Sequence, residues 1–322
     1  RPCRLSLQKE CSLIRHAFTY ANKHNLIFIE KAGKPARFFY VCTYFGSIKK
    51  EFVMEDFILL IKHLIIGLVQ GFTEPIPVSS SGHVMIASEI LGLGEQGFTF
   101  AILTNTASLL AILFIYREDI IRLAVNSINY IRTKDKKYVA DFRFVICVII
   151  GSIPAGVLGI LLSDVIASNA SMTTIAIMLF VTGIALWAIR NMRGKKSDND
   201  ITAKDAFLVG LGQAFALTPG ISRSGATIIS SIAVGMKQDT ALRFSFMLYI
   251  PVSLGGVVLG LSDFLNEPNK ADLALPYTVT FFATLFMTYF AMKWFMGIMK
   301  HGKLIYFTYY CFIVGTLLLI FY

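Results

Sequence analysis

The sequence predicts an all-α polytopic membrane protein, and three observations carry that prediction. Apolar residues make up 55% of the 322 and charged ones 16%, with a mean hydropathy of +0.65, a balance typical of chains dissolved in lipid. Six apolar stretches, 98–116, 141–163, 173–190, 241–262, 274–292 and 304–321, are each close to the roughly 20 residues a helix needs to cross a bilayer. Four shorter ones, 57–74, 79–93, 203–217 and 223–235, meet in pairs at proline, glycine and serine. Such pairs read as re-entrant helical hairpins, which a membrane tolerates where their bend is buried in protein or faces water.

The chain begins unlike the rest. Residues 1–53 hold ten Lys and Arg against three acidic residues, +7 of the chain's net +10, and three of its five cysteines. No secretory signal is expected there, because the basic start is not followed by an apolar core and a small-residue cleavage site. The first methionine is Met54, where the membrane pattern starts. The expectation is therefore that 1–53 is a non-native or disordered basic extension and that the membrane domain is 54–322. Cysteines without paired or metal-ligand spacing predict neither a disulfide framework nor a zinc site.

The first hairpin turns at Gln70-Gly-Phe-Thr-Glu74-Pro-Ile-Pro-Val-Ser79-Ser80-Ser81-Gly-His83. Pro75 and Pro77 lack N–H donors and push their predecessors out of the helical region, so the helix must stop. Serines 79–81 then sit where a second helix starts, a favoured capping position. Gln70 and Glu74, four apart, share a helix face. An amide, a carboxylate, three hydroxyls and an imidazole inside apolar sequence are costly in hydrocarbon unless they do something.

The later elements repeat this pattern. With an offset of 143 residues, 65–88 lies over 208–231 without a gap, and nine of 24 positions are identical, among them Gly67/Gly210, Gln70/Gln213, Ser79/Ser222, Ser81/Ser224 and Ser88/Ser231. Each half, about 54–200 and 201–322, is one hairpin plus three spans. Three is odd, so the second repeat is expected to be inverted relative to the first, with the two bends meeting near the midplane. Charge agrees. The connections 117–140 (Arg117, Arg122, Arg132, Lys134, Lys136, Lys137), 190–205 and 293–303 are basic, whereas 164–172 and 263–272 are acidic or neutral. Basic connections belong in the cytoplasm, which puts the first hairpin on the outer side.

The second bend reads Thr218-Pro-Gly-Ile-Ser222-Arg223-Ser224-Gly-Ala-Thr227, and Arg223 is the only charge between Asp205 and Lys237. A guanidinium is permanently charged and matches phosphate oxygens with a planar fork of donors. At a helix start it joins free N–H groups and the favourable end of the helix dipole. Two such helix starts, one Arg and several hydroxyls describe a phosphate pocket within a membrane. The same Arg could instead neutralise Glu74 as a buried structural pair, and the two readings can coexist.

Gln70–His83 with Glu74, and Pro219–Ser224 with Arg223, resemble the paired signature motifs of the bacitracin-resistance family of undecaprenyl-diphosphate phosphatases. Residues 241–252 and the surroundings of Pro154 resemble that family too, so the likeness runs from about Met54 to Tyr322. It implies an enzyme, a phosphoric anhydride hydrolase of the bacterial plasma (inner) membrane with its site facing outward. Such an enzyme converts undecaprenyl diphosphate to undecaprenyl phosphate and inorganic phosphate, recycling the lipid carrier for peptidoglycan synthesis and conferring bacitracin resistance. Carried over, Glu74 would hold a divalent cation or handle protons, and Ser80 would attack phosphorus. His83 would activate Ser80 or protonate the leaving group, unless it is itself the nucleophile. Arg223 with Ser222, Ser224 and Thr227, facing Ser79 and Ser81, would bind the transferring phosphoryl group. The cation would be magnesium before calcium, with Gln70 as a weak second ligand, since many relatives carry a second Glu there. The expected partners are a polyprenyl diphosphate lipid and the bilayer, with a homodimer allowed and no nucleic acid. The reading from a different class is a transporter or flippase of a lipid phosphate or organic phosphate, since inverted repeats with broken helices are a transporter architecture.

Overall fold

The computed structural model describes residues 34–94, 96–161, 171–266 and 270–322. The chain divides into two compact units, Arg1–Leu59 and Leu60–Tyr322. Among the described residues there are eleven α-helices and no β-strand, the sole extended pairing being an isolated bridge between Lys196 and Met236. The described residues are thus all-α, and five of the helices, or six spans if one bent pair counts as one, are long and apolar enough to cross a membrane, as a multi-pass membrane protein requires. Of the expected N-terminal extension, 1–33 lies outside the described residues and 34–53 is helical.

Helix α1 (Lys34–Thr73) has proline in its first turn and none after it, so nothing upstream of Pro75 interrupts it. The apolar pattern starts this arm at residue 57. The helix instead continues upstream, and its Met54–Thr73 stretch alone is long and apolar enough to span. After the double-proline break comes α2 (Ser80–Ile90), then α3 (Phe98–Ile115) and α4 (Arg117–Thr133). Next are α5 (Val139–Leu161) and α6 (Met172–Ile189). A second broken pair, α7 (Ala203–Phe215) and α8 (Arg223–Ala233), precedes α9 (Gln238–Asn266), α10 (Lys270–Lys300) and α11 (Ile305–Phe321). Of the six expected spans, α5, α6, α9 and α10 are each long and apolar enough to cross a membrane, α3 reaches that only together with α4, and α11 is a shorter apolar helix of 17 residues. The basic connection 117–140 is itself mostly helical, containing α4, which leaves α3 at a bend of 73° around Tyr116. Of the acidic or neutral connections, 164–170 and 267–269 lie outside the described residues, and the rest of 263–272 is helical, ending α9 at Asn266 and starting α10 at Lys270.

Local chemistry fixes the ends. Ser171 caps α6 by accepting from the Thr174 amide at 3.1 Å. Thr202 and Asp205 form a reciprocal capping box on α7, 3.1 Å from the Asp205 amide to the Thr202 hydroxyl and 3.0 Å back; each such cap contributes about 1 kcal/mol. Asp205 also binds Lys196 Nζ at 2.8 Å, pinning the connection before α7.

Packing relies on small residues, as it must where lipid tails are as apolar as the side chains they would replace. Thr280, Thr284 and Thr288 form a fully buried stripe on α10, with Thr280 and Thr284 donating to the carbonyls of His63 and Gly67 on α1 at 3.1 and 3.0 Å. A Cβ at Gly71 would lie 2.5 Å from the Thr284 carbonyl oxygen, and one at Gly210 on α7 would lie 2.4 Å from the Gly151 carbonyl oxygen on α5. These two crossings bring the broken helices against the long spans. The outward faces carry large apolar side chains such as Phe114, Ile149, Ile184, Phe286 and Ile313, all exposed as a lipid-facing surface requires.

Candidate active site

The site forms where the two breaks touch. At the first, the Glu74 amide still donates to the Gln70 carbonyl at 2.9 Å, so one helical turn separates the two side chains, and Gln70 Nε2 donates to Glu74 Oε2 at 2.9 Å. The prolines then reverse the chain. Ser79 is held at φ +68°, a left-handed conformation that costs a side-chain-bearing residue free energy and clusters at functional sites. Its hydroxyl caps α2 by accepting from the Gly82 amide at 3.3 Å. That turn puts Ser80 at the first position of α2, where its hydroxyl donates to Glu74 Oε2. Ser81 is exposed beside it, its hydroxyl 3.5 Å from that of Ser79.

At the second break Ser222 caps α8 by accepting from the Gly225 amide at 3.1 Å, and Arg223 is the first helical residue. One guanidinium nitrogen, Nη2, lies 3.5 Å from Glu74 Oε1 and 3.3 Å from Asn105 Oδ1 on α3. The other, Nη1, donates to the Ser253 hydroxyl on α9 at 3.1 Å, and the cation lies 4.9 Å from the Tyr249 ring centre. The Tyr249 hydroxyl donates to the Asn105 carbonyl at 3.4 Å, closing the cradle. Ser224 donates to the carbonyls of Glu74 and Ile76 at 3.3 and 3.1 Å, and Ser222 to that of Ile76 at 3.4 Å. The start of one hairpin's second helix is therefore stitched to the bend of the other.

The electrostatics are asymmetric. The Glu74 side chain is 5% exposed and that of Arg223 26%, so the cation is the more accessible of the two. Glu74 Oε2 accepts from both Gln70 and Ser80 while Oε1 faces Arg223, leaving the Ser80 oxygen beside a proton acceptor. This arrangement suits attack by a hydroxyl on an anionic centre.

Of the residues singled out from sequence, Gln70, Glu74, Ser80 and Arg223 come together, with Ser222 and Ser224 beneath them and Ser79 and Ser81 at the α2 start. Two point elsewhere. His83 has Nδ1 2.8 Å from the Ser79 carbonyl oxygen and Nε2 2.7 Å from the Tyr310 hydroxyl on α11, with the two rings stacked. Thr227 is buried and gives its hydroxyl to the Arg223 carbonyl at 3.0 Å within α8. Sequence reasoning missed Asn105, Tyr249, Ser253 and Tyr310. Asn105 carried a signal, being the one side-chain amide in the apolar run 98–116. Tyr249 and Ser253 flank Pro251 in α9, but nothing local separates them from ordinary helix-contact residues.

Among the described residues no three His, Cys, Asp or Glu side chains gather into a metal-binding group. The cluster does offer hard oxygen donors, namely the Glu74 carboxylate, the Gln70 and Asn105 amide oxygens and the Ser80 hydroxyl. One carboxylate among neutral oxygens fits magnesium or calcium held loosely, with water and ligand oxygens completing the shell.

A family model described as bacitracin resistance protein BacA matches residues 63–317. The chain is 53% identical over 268 residues to undecaprenyl-diphosphatase 1 of Bacillus licheniformis, covering 83% of this chain and 99% of that one. It is 55% identical over 269 residues to undecaprenyl-diphosphatase 1 of Bacillus cereus, 83% of this chain and all of the relative. It is 52% identical over 272 residues to the undecaprenyl-diphosphatase of Oceanobacillus iheyensis, covering 84% and 99% respectively.

Proposed function

We propose that this chain, which belongs to the bacitracin resistance protein BacA family, hydrolyses undecaprenyl diphosphate to undecaprenyl phosphate and inorganic phosphate. It thereby returns the lipid carrier to peptidoglycan synthesis and confers bacitracin resistance. The observation that carries the reading to individual residues is the Ser80 hydroxyl donating to Glu74 Oε2 while Arg223 faces the other carboxylate oxygen.

Phosphoryl transfer asks mainly for positioning and charge neutralisation. The Ser80 oxygen attacks the terminal phosphorus as its proton passes to Glu74. The bond from that phosphorus to the bridging oxygen breaks, and the lipid monophosphate leaves with the electron pair. Water then attacks the seryl phosphate, Ser80 recovers the proton from Glu74, and inorganic phosphate departs. Arg223, held in orientation by Asn105 and Ser253, neutralises charge on the equatorial oxygens, and the first amides of α2 and α8 add the positive ends of two helix dipoles. The neighbouring carboxylate is the base in this scheme. His83, engaged with Ser79 and Tyr310, braces the α2 start. A divalent cation held by Glu74 and Gln70 would neutralise charge on the diphosphate oxygens.

The site opens to the outer face of the bacterial inner membrane in this reading, supported by the basic connections 117–140, 190–205 and 293–303. The halves form two inverted repeats, supported by close approaches at positions the 143-residue offset pairs: Gly67 of the first broken pair packs on α10 of the second half, and Gly210 of the second broken pair on α5 of the first.

The test is phosphate release from a polyprenyl diphosphate by the purified full chain in detergent, with and without chelator. Turnover without a membrane to cross supports hydrolysis, and its absence favours a transporter of the same lipid phosphate. Ser80→Ala should lower the rate about 10²-fold or more if Ser80 attacks; near-normal turnover would remove it as nucleophile.

A further inference from the structure

Helix α4 has three faces, and the protein accounts for one of them. Leu123 and Ser127 are buried against the bundle, and Asn126 donates to Asp141 Oδ2 at 2.6 Å. The Tyr130 ring lies 4.7 Å from that of Phe142, and Asp119 accepts from Arg243 of α9 at 3.2 Å. These contacts fix the helix's rotation. On the opposite face Ile121, Val125, Ile128 and Ile131 are each about half exposed or more. At positions i, i+4, i+7 and i+10 they form one continuous stripe. Glu118, Arg122 and Asn129 occupy the remaining arc.

The stripe is turned away from the direction in which α3 runs, because α4 leaves the end of α3 at 73°. A helix nearly perpendicular to a span runs along the bilayer plane. Basic residues bracket the stripe. Arg117 stands in the first turn, and Arg132, Lys134, Lys136 and Lys137 follow its last apolar residue. Among the described residues Arg132, Lys134 and Lys136 have no carboxylate partner.

We infer that α4 is an interfacial helix that seats its Ile121–Ile131 stripe among the acyl chains and takes anionic phospholipid headgroups on its basic C-terminal end. An amphipathic helix with a polar face and flanking Lys and Arg sinks its apolar side below the headgroups, and each basic residue near an anionic surface is attracted by about 1 kcal/mol. The long stems of Arg117 and Arg132 let their charges reach the headgroups from the stripe's ends. The inference rests on the chain being multi-pass and is independent of the phosphatase reading.

Spin labels on the full chain in nanodiscs test it, with Cys3, Cys11 and Cys42 replaced by serine and the buried Cys147 and Cys311 retained. Labels at 121, 125 and 128 should meet oxygen more readily than a water-soluble nickel chelate, and labels at 118, 122 and 129 the reverse. If the first set prefers nickel, the stripe lies in water and the proposal fails; if it meets neither reagent, a protein surface covers the stripe and the proposal fails equally. For the headgroups, the preference for spin-labelled phosphatidylglycerol over phosphatidylcholine should fall about threefold or more in Arg132→Gln/Lys136→Gln/Lys137→Gln. Lys134 is left unchanged because its φ of +55° makes substitution a backbone question. An unchanged lipid preference would overturn the headgroup assignment.

Discussion

Arg223 and Glu74 were legible as single residues because each is an isolated charge in apolar sequence, where desolvation makes an idle charge expensive. What surrounds Arg223 was not legible. Asn105, Tyr249 and Ser253 reach it from α3 and α9, and contacts across more than 25 residues of sequence leave no local period. The same limit hid Tyr310, 227 positions from its partner His83. This cradle makes two predictions. Arg223→Lys keeps the charge but cannot bond Asn105 and Ser253 while presenting a planar fork, so turnover should drop about tenfold or more at unchanged folded yield, measured as phosphate release per folded molecule. Gln70→Glu adds a second carboxylate one turn from the first, and if this face holds a cation, less magnesium should be needed for half-maximal rate. A magnesium titration of that variant checks it, and an unchanged or higher requirement would remove Gln70 from the cation site.

Breaks were the most readable features among the elements, because proline and serine act on their immediate neighbours. Ser79 and Ser222 cap α2 and α8 as their spacing implied. The left-handed φ of Ser79 had no signal, since glycine is the usual marker and is absent there. Helix α4 was less legible because its charges outweigh its period. Arg117, Arg122 and Arg132 mark a basic cytoplasmic connection, whereas Ile121, Val125, Ile128 and Ile131 already carry the 3.6-residue repeat. The close crossings yield a test at this scale. Gly210→Ala would drive a methyl into the Gly151 carbonyl and should destabilise the protein by about 1–3 kcal/mol, read as a lower melting temperature in detergent. Gly156→Ala on α5, with no atom within 4 Å of the added carbon, should leave the melting temperature unchanged or slightly raised, because alanine favours helix. Equal effects from the two would mean that the α5–α7 crossing is looser than described.

For the whole molecule the helical membrane class was readable, since bilayer thickness sets the length of apolar helices, and the charge asymmetry of the connections predicts an orientation. Orientation is checked by placing single cysteines at Asp135, between α4 and α5, and at Leu265, at the end of α9. An impermeant maleimide should reach 265 from outside intact cells and 135 only after permeabilisation; labelling of 135 from outside would reverse the topology. How the two breaks meet was legible only as an expectation from the 143-residue offset, because it depends on which faces of distant helices pack. That meeting is where the chemistry is assigned, with Glu74 as the group on which Ser80 and Arg223 converge. Glu74→Gln keeps size and hydrogen bonding while removing the charge. If Glu74 served only as the buried partner of Arg223, its loss would destabilise the protein by about 3–5 kcal/mol and leave the folded molecules active. The decisive measurement is phosphate release from polyprenyl diphosphate per folded molecule of Glu74→Gln across a magnesium titration. A rate about 10²-fold or more below wild type at every concentration is the predicted result, and a normal rate in the folded fraction would contradict the account.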